Sequence, residues 1–379
     1  MGTDQEPPPA PFRFAKIVVC GVGLIGGSLA RALRRAGRAE EPGDPYSAYG
    51  AAPLAGAVSV ADGATTYASP DATPAVPATR DIGDTRDTRD NPRVATGESR
   101  PAAPRGEIVG VGRGMAAVER AIQLGVVDSG CTFDDVAGLA RALDGADIVV
   151  LAAPVAQTRA LLDVMIPHLQ LQTIVTDAGS TKSDVIAAAR ASLGSRIGQF
   201  VPAHPIAGRE LSGIDAAIED LYDGRNVVLC PLPENTEASV ARVEAMWRAS
   251  GARLHRMSAR QHDTVFASVS HLPHLLSFAL VDQILDSDEA GLKFSFAAGG
   301  FRDFTRIAAS SPEMWRDIFL ANRQALLAEL DGYTAVLARL RAAIEAGDGD
   351  RLTEVFSRAR DARQRWTDQP AAGANKTGE

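Results

Sequence analysis

Near the start of the chain an apolar run, Lys16-Ile17-Val18-Val19-Cys20, stops at the glycine-rich turn Gly21-Val22-Gly23-Leu24-Ile25-Gly26-Gly27. Residues 24–37 follow with a helical period, Leu24, Leu29, Ala32 and Leu33 forming an apolar face and Gly37 closing it. Few folds accept this order. A short unbroken apolar strand suits a parallel sheet covered on both faces, and G-x-G-x-x-G between a strand and a helix is the spacing of a dinucleotide-binding turn. The first glycine permits the tight turn, the second lets backbone approach a pyrophosphate, and the positive helix N-terminus receives it. Glycines used only for strand–helix packing are the bland alternative, and the flanking strand and helix count against it. Gly21, Gly23, Leu24, Ile25 and Gly26 are therefore expected cofactor contacts, joined by Ala153 and Pro154 after a later strand.

The alternation recurs. Segments 107–111, 146–152, 173–176 and 227–230 read as strands, and 115–124, 156–166, 183–193 and 237–249 as helices, which implies a doubly wound parallel sheet. From about residue 258 it stops: 259–286, 303–309, 313–345 and 348–366 carry helical periods with almost no strand signal. The expected fold is an α/β Rossmann-like dinucleotide-binding domain over 14–257 followed by an all-α C-terminal domain over 258–366, with disordered tails at 1–13 and 367–379. Segment 39–105 is set apart by composition. It holds nine of the 22 prolines, ten acidic and six basic residues, and only six residues from Ile, Leu, Val, Met, Phe and Trp. Such a segment cannot bury enough surface to offset its ordering entropy, so it reads as a disordered insertion.

The insertion carries −4 of the chain's net charge of −8. An acidic balance argues against a general grip on nucleic acid or anionic lipid. No apolar run approaches the roughly 18 residues a membrane span needs, and the opening residues lack the layout of a signal peptide. Cys20, Cys131 and Cys230 are odd in number and form no CxxC pair, which reads as reduced, buried thiols in a cytoplasmic protein.

The second strand runs Ile108-Val109-Gly110-Val111-Gly112-Arg113, without the carboxylate that usually binds the ribose 2′-hydroxyl of NAD. A missing acid removes repulsion against a 2′-phosphate, and Arg113 can pair with one. NADP is thus mildly favoured over NAD, unless Arg113 only points into solvent or stacks on adenine.

Four polar clusters remain: Asp177-Ala178-Gly179-Ser180-Thr181-Lys182 after a strand, His204-Pro205-Ile206-Ala207-Gly208-Arg209-Glu210, the helix carrying His262, His271 and His274, and Gly299-Gly300-Phe301-Arg302-Asp303-Phe304-Thr305-Arg306 with Trp315 beyond it. Strand ends of this fold face the ligand crevice. His262 lies nine residues before His271, about half a turn out of phase unless Pro273 kinks the helix, and reads as structural. The His-x-x-His spacing is ligand-like for zinc, but no carboxylate or cysteine neighbour completes a set, so no metal is expected. A hydroxyacid-type dehydrogenase would need a catalytic lysine; the chain has four, and only Lys182 lies in a suitable motif.

GVGLIGGS, DAGSTK, HPIAGRE, SHLPH and GGFRDFTRIA, in this order over about 16–320, resemble the prephenate dehydrogenase family, which includes arogenate and broad cyclohexadienyl dehydrogenases. The insertion and Gly112 depart from its pattern. The resemblance implies oxidative decarboxylation of prephenate or arogenate with hydride transfer to NAD(P), in tyrosine biosynthesis. It implies His204 as the group that takes the hydroxyl proton, and Ser180 as a hydrogen-bond partner of that hydroxyl that also orients the imidazole. Arg306 would bind the substrate carboxylate and Asp303 would hold or gate it. His274 would contact the ligand while His271 packs, and Glu210 and Trp315 would stand near the pocket entrance. It also implies a homodimer through the helical domain. A nucleotide-binding redox sensor without turnover is the rival from another class, and it has no need of Ser180, His204 and Arg306 together.

Overall fold

The computed structural model describes residues 12–38, 106–209 and 211–368. The expected insertion 39–105, and the expected tails but for residues 12–13 and 367–368, lie outside these residues.

Six parallel strands form the main sheet in the order β3-β2-β1-β4-β5-β6. They are β1 (Lys16–Cys20), β2 (Glu107–Gly112), β3 (Ser129–Thr132), β4 (Ile148–Leu151), β5 (Ile174–Asp177) and β6 (Phe200–Val201). This is the doubly wound order that splits on either side of β1 and leaves a crevice at the strand C-termini. The period-2 alternation of strand side chains builds both cores. Ile17, Val19, Ile108 and Ile148 face α1 (Leu24–Arg38), α2 (Met115–Gln123) and α6 (Glu237–Ala249), packing on Leu29, Val118 and Trp247. Val18, Cys20, Val109 and Val149 face α3 (Val136–Leu143), α4 (Thr158–Met165) and α5 (Ser183–Leu193), packing on Leu139, Leu162 and Val185. The three cysteines are buried and unpaired, and burial pushes the thiols of Cys20 and Cys131 up.

The sheet departs from expectation where proline acts. The apolar run 199–203 is split by Pro202 into β6 and β7 (Ala203–Pro205). Proline has no N–H for a ladder, and the chain here leaves the main sheet for a second one, β7-β8-β9. β8 (Asn226–Leu229) pairs antiparallel with β7 and parallel with β9 (Arg253–Arg256), so the segment expected in the parallel sheet belongs elsewhere. β3 and β9 carry too little apolar sequence (SGCT, RLHR) to have been read as strands.

Beyond Arg256 all elements are helical: α7 (Ala259–Phe266), a π turn (Ala267–His271), α8 (Leu272–Leu285), α9 (Ala290–Ser295), α10 (Gly299–Thr305), a 3-10 turn (Arg306–Ala309), α11 (Pro312–Ala321), α12 (Arg323–Glu345) and α13 (Gly349–Asp368). The segment read as one helix over 313–345 breaks at Asn322, whose side chain is drawn inward by hydrogen bonds. α13 runs through Asp368, past the expected end at 366. At the other end Phe12, which composition assigned to the N-terminal tail, packs against the core beside Phe14.

Residues Ala259–Leu285 run on as one helical stretch that is long and apolar enough to cross a membrane by length and composition. Run-length reading missed it because Asp263, His271, His274 and Asp282 interrupt the apolar sequence. Two of those polar side chains, Asp263 and His271, bond to Lys182 and Asn322 elsewhere in this chain.

Candidate active site

The glycine turn fits a dinucleotide. Gly21 sits at φ +108°, where other residues are strained, and a Cβ there would lie 2.6 Å from the Ala152 carbonyl oxygen. Gly26 has no room either: a Cβ would meet the Gly21 oxygen at 2.3 Å. Gly23, by contrast, faces open space, as a backbone that must admit a pyrophosphate requires. α1 starts directly behind it at Leu24, and the Tyr222 hydroxyl donates to the Ile25 carbonyl at 2.6 Å, anchoring that first turn. Leu24, Ile25 and Ala153 are half-buried and Pro154 exposed around the same crevice edge. At the end of β2, Gly112 is packed tightly, a Cβ coming 2.7 Å from Val118, while Arg113 is exposed and has no ion-pair partner among the described residues.

The loop after β5 is held from inside. Asp177 accepts the backbone N–H of Gly179 at 2.9 Å and of Ala203 at 3.0 Å, and its carboxylate pairs with the Lys182 ammonium. Both side chains are almost wholly buried. A buried ion pair persists only when its remaining lone pairs are satisfied, and here two backbone donors do that. Lys182 is thereby committed to structure, which removes the lysine that a hydroxyacid-type mechanism would need. Ser180, between these two anchors, is half-buried and makes no hydrogen bond to His204.

His204 is on β7, 8 % exposed, beside Phe266. Its Nδ1 lies 2.8 Å from Nε2 of His262, whose own Nδ1 lies 2.9 Å from Oδ1 of Asp263. This chain assigns the protons. A carboxylate only accepts, so His262 carries its proton on Nδ1; burial holds His262 below its ordinary pKa, so its Nε2 is bare and accepts Nδ1–H of His204. His204 is left with a lone pair on Nε2. Burial first, and then His262, Lys182 and His271, hold the His204 pKa well below its usual value, so the ring is neutral at pH 7. The side chain that hydrogen-bonds the His204 ring in this structure is that of His262.

That His262 reaches His204 corrects its reading as a structural residue. The π turn inserts one extra residue, which is worth about 100° of helix rotation and swings His262 towards the face of His271. Pro273, which lacks the N–H that a regular helix would use here, sits just beyond it.

Asn322 continues the network, its amide nitrogen lying 2.7 Å from the Asp263 carbonyl oxygen and 3.1 Å from Nδ1 of His271. Burial pushes His271 down to about 4, so it too is neutral. Trp315 is buried rather than at an entrance: its ring stacks on His274 at 3.6 Å and meets His271 edge-on at 6.2 Å. His274 donates Nδ1–H to the Ser270 carbonyl at 2.8 Å, leaving Nε2 free to accept, and burial and the charge of Arg306 lower its pKa. Arg306 opens the 3-10 turn that packs on α8, and Asp303 is exposed on α10 one turn earlier. Glu210 lies outside the described residues. Asp263 and Asn322 escaped the sequence reading altogether, and their only signal was polarity on otherwise apolar helical stretches.

Residues 97–256 match the family model for the prephenate dehydrogenase nucleotide-binding domain, and 258–358 that for the prephenate dehydrogenase dimerization domain. A prephenate dehydrogenase of Bacillus subtilis is 35 % identical over 262 residues, 69 % of either chain. The chain belongs to the prephenate dehydrogenase family. A cyclohexadienyl dehydrogenase of Zymomonas mobilis is 38 % identical over 220 residues, 58 % of this chain and 74 % of that one. The crystal structure of the Aquifex aeolicus prephenate dehydrogenase, in complex with hydroxyphenyl propionate and NAD+, superposes with a TM-score of 0.70 at 29 % identity, covering 93 % of this chain and 98 % of the other. The fold of this family member is accordingly a nicotinamide-dinucleotide dehydrogenase domain followed by a helical one, and the protein is a dehydrogenase.

Proposed function

We propose that the protein catalyses the oxidative decarboxylation of prephenate to 4-hydroxyphenylpyruvate in tyrosine biosynthesis, with NADP preferred over NAD. The observation that carries this reading is His204: a buried, neutral imidazole with its Nδ1 committed and its Nε2 free, in a member of this family. A bound nicotinamide, held by Gly21, Gly23, Leu24, Ile25, Gly26, Ala153 and Pro154, supplies the hydride acceptor. Nε2 of His204 takes the substrate hydroxyl proton as carbonyl character develops, and returns it to the phenol oxygen once CO₂ has left and the ring is aromatic. Ser180 hydrogen-bonds that hydroxyl. Arg306 binds a substrate carboxylate with its planar fork, Asp303 holds or gates that arginine, and His274 contacts the ligand against Trp315; Glu210, outside the described residues, is assigned to the pocket entrance by its motif alone. Mixing protein, prephenate and NADP and following absorbance of the reduced nicotinamide tests the reading; no turnover with prephenate or arogenate sinks it. Similarity to the Zymomonas cyclohexadienyl dehydrogenase supports some turnover of arogenate to tyrosine in the same assay.

The NADP preference rests on Arg113 and on Gly112, where Val118 leaves no space for a carboxylate. Arg113→Ala raises the KM for NADP about tenfold, the worth of one exposed charge-assisted contact, and leaves that for NAD within twofold. An equal rise for both cofactors would count against 2′-phosphate recognition.

A homodimer accounts for the exposed apolar surface of the helical half. Only Leu272 and Ser277 of α8 are buried within the chain, and Leu285, Leu292, Phe296 and Phe304 stand exposed nearby. A second copy covering this surface explains why Ala259–Leu285 is as apolar as a membrane span. Light scattering on the eluting peak gives twice the chain mass; a monomer at micromolar concentration overturns the assembly. The buried, unpaired cysteines suit a reducing cytoplasm.

A further inference from the structure

Asp263 stands where the helical half meets the loop that carries Ser180. Its Oδ1 accepts Lys182 N–H at 2.9 Å, and its Oδ2 accepts Ser183 N–H at 2.8 Å. These are two of the backbone donors at the start of α5, a helix whose own N-cap side chain makes no capping bond. A carboxylate from α7, 80 residues away in sequence, thus does what a local Asp or Ser does at most helix starts, and the helix dipole favours its charge. The same Oδ1 accepts Nδ1–H of His262 and through it sets the proton on His204. Burial opposes charge on Asp263, and the bonds from His262, Ser183 and Lys182 outweigh it.

We propose that Asp263 is a positioning residue that registers Ser180 against the base nitrogen of His204, capping α5 with the same carboxylate that orients His262. The proposal rests on the reading of His204 as the proton acceptor. Three donors converge on two oxygens, a demand that only a carboxylate meets. An amide nitrogen in place of Oδ2 faces Ser183 N–H and opens the cap. In place of Oδ1 it donates to His262, which then carries its proton on Nε2; His204 accepts at Nδ1 and must carry its own proton on Nε2. The lone pair needed for catalysis is then gone, the same loss of tautomer that disables an Asp-to-Asn triad.

The test uses the full chain and reads the protein in two independent ways. ¹⁵N NMR of histidine-labelled protein gives His204 protonated at Nδ1 in the wild type, with the lone pair on Nε2. With prephenate and NADP, Asp263→Asn lowers kcat by about 10²–10⁴-fold and changes the cofactor KM less than threefold. A double-mutant cycle separates the two arms: Ser180→Ala costs several-fold less in the Asp263→Asn background than alone, but keeps its full cost beside His262→Leu, which leaves the cap in place. A wild-type His204 protonated at Nε2 overturns the proposal even if Asp263→Asn does not fold, and so does strict additivity of Ser180→Ala with Asp263→Asn. Should the wild type turn over neither prephenate nor arogenate, the functional reading falls while the NMR result still judges Asp263.

Discussion

His204→Asn lowers kcat for prephenate by about 10²–10⁴-fold, the worth of a positioned general base, and leaves the KM for NADP within threefold. Asparagine is the informative choice because its amide can still donate to Nε2 of His262, which keeps β7 and the relay in place while removing the lone pair. The pH dependence carries the same assignment. The base must be neutral to work, and burial together with His262, Lys182 and His271 holds its pKa well below 6.5. The acidic limb of kcat/KM therefore lies below pH 6.5, with full activity at pH 7, and it disappears in the variant. Near-wild-type turnover by His204→Asn, or an acidic limb above pH 7 in the parent, removes His204 from the chemistry.

Arg306→Ala raises the KM for prephenate by about 10–100-fold, with kcat falling less than fivefold. A hydrogen bond to a charged group contributes about 1.5–3 kcal/mol, which sets this range. The effect falls on KM because a carboxylate remote from the reacting carbon is held equally in ground and transition states. Arg306→Lys recovers only part of the loss, since an ammonium cannot bind two oxygens in one plane. Burial lowers the His274 pKa and the charge of Arg306 lowers it further, which adds a second signature. Removing the cation lets the His274 pKa rise, which an NMR titration of its imidazole reads directly. An unchanged KM together with a collapsed kcat would instead place Arg306 at the reacting centre.

The fold was legible wherever a local pattern sufficed. β1, the glycine turn and α1 follow from an apolar strand, a helical period and the steric demands at Gly21 and Gly26. Ser183–Leu193 and Glu237–Ala249 were readable to the residue from periodicity. Pro202 shows the limit. Its missing N–H was plain in the sequence, but the transfer of the chain into a second, antiparallel pairing depends on β8, which arrives more than 20 residues later. The candidate site divides in the same way. His204, Ser180 and Arg306 were proposed from motifs, whereas His262, which hydrogen-bonds His204, was set aside on a phase argument that holds only for an unbroken α-helix.

By itself the sequence determined a dinucleotide-binding turn, the change from alternating to all-helical chain near residue 258, and the residue types of the chemistry. Those depend on sterics and on periods that act over a few residues. Tertiary structure alone decided which nitrogen of His204 is free, because that depends on a hydrogen bond to a ring 58 residues away and, beyond it, on Asp263. It also decided that Lys182 is a buried counterion and no base, since Asp177 and Ala203 meet only in the folded chain. Proton position and ion pairing act over a few ångströms in space, and one-dimensional order does not specify which groups come that close.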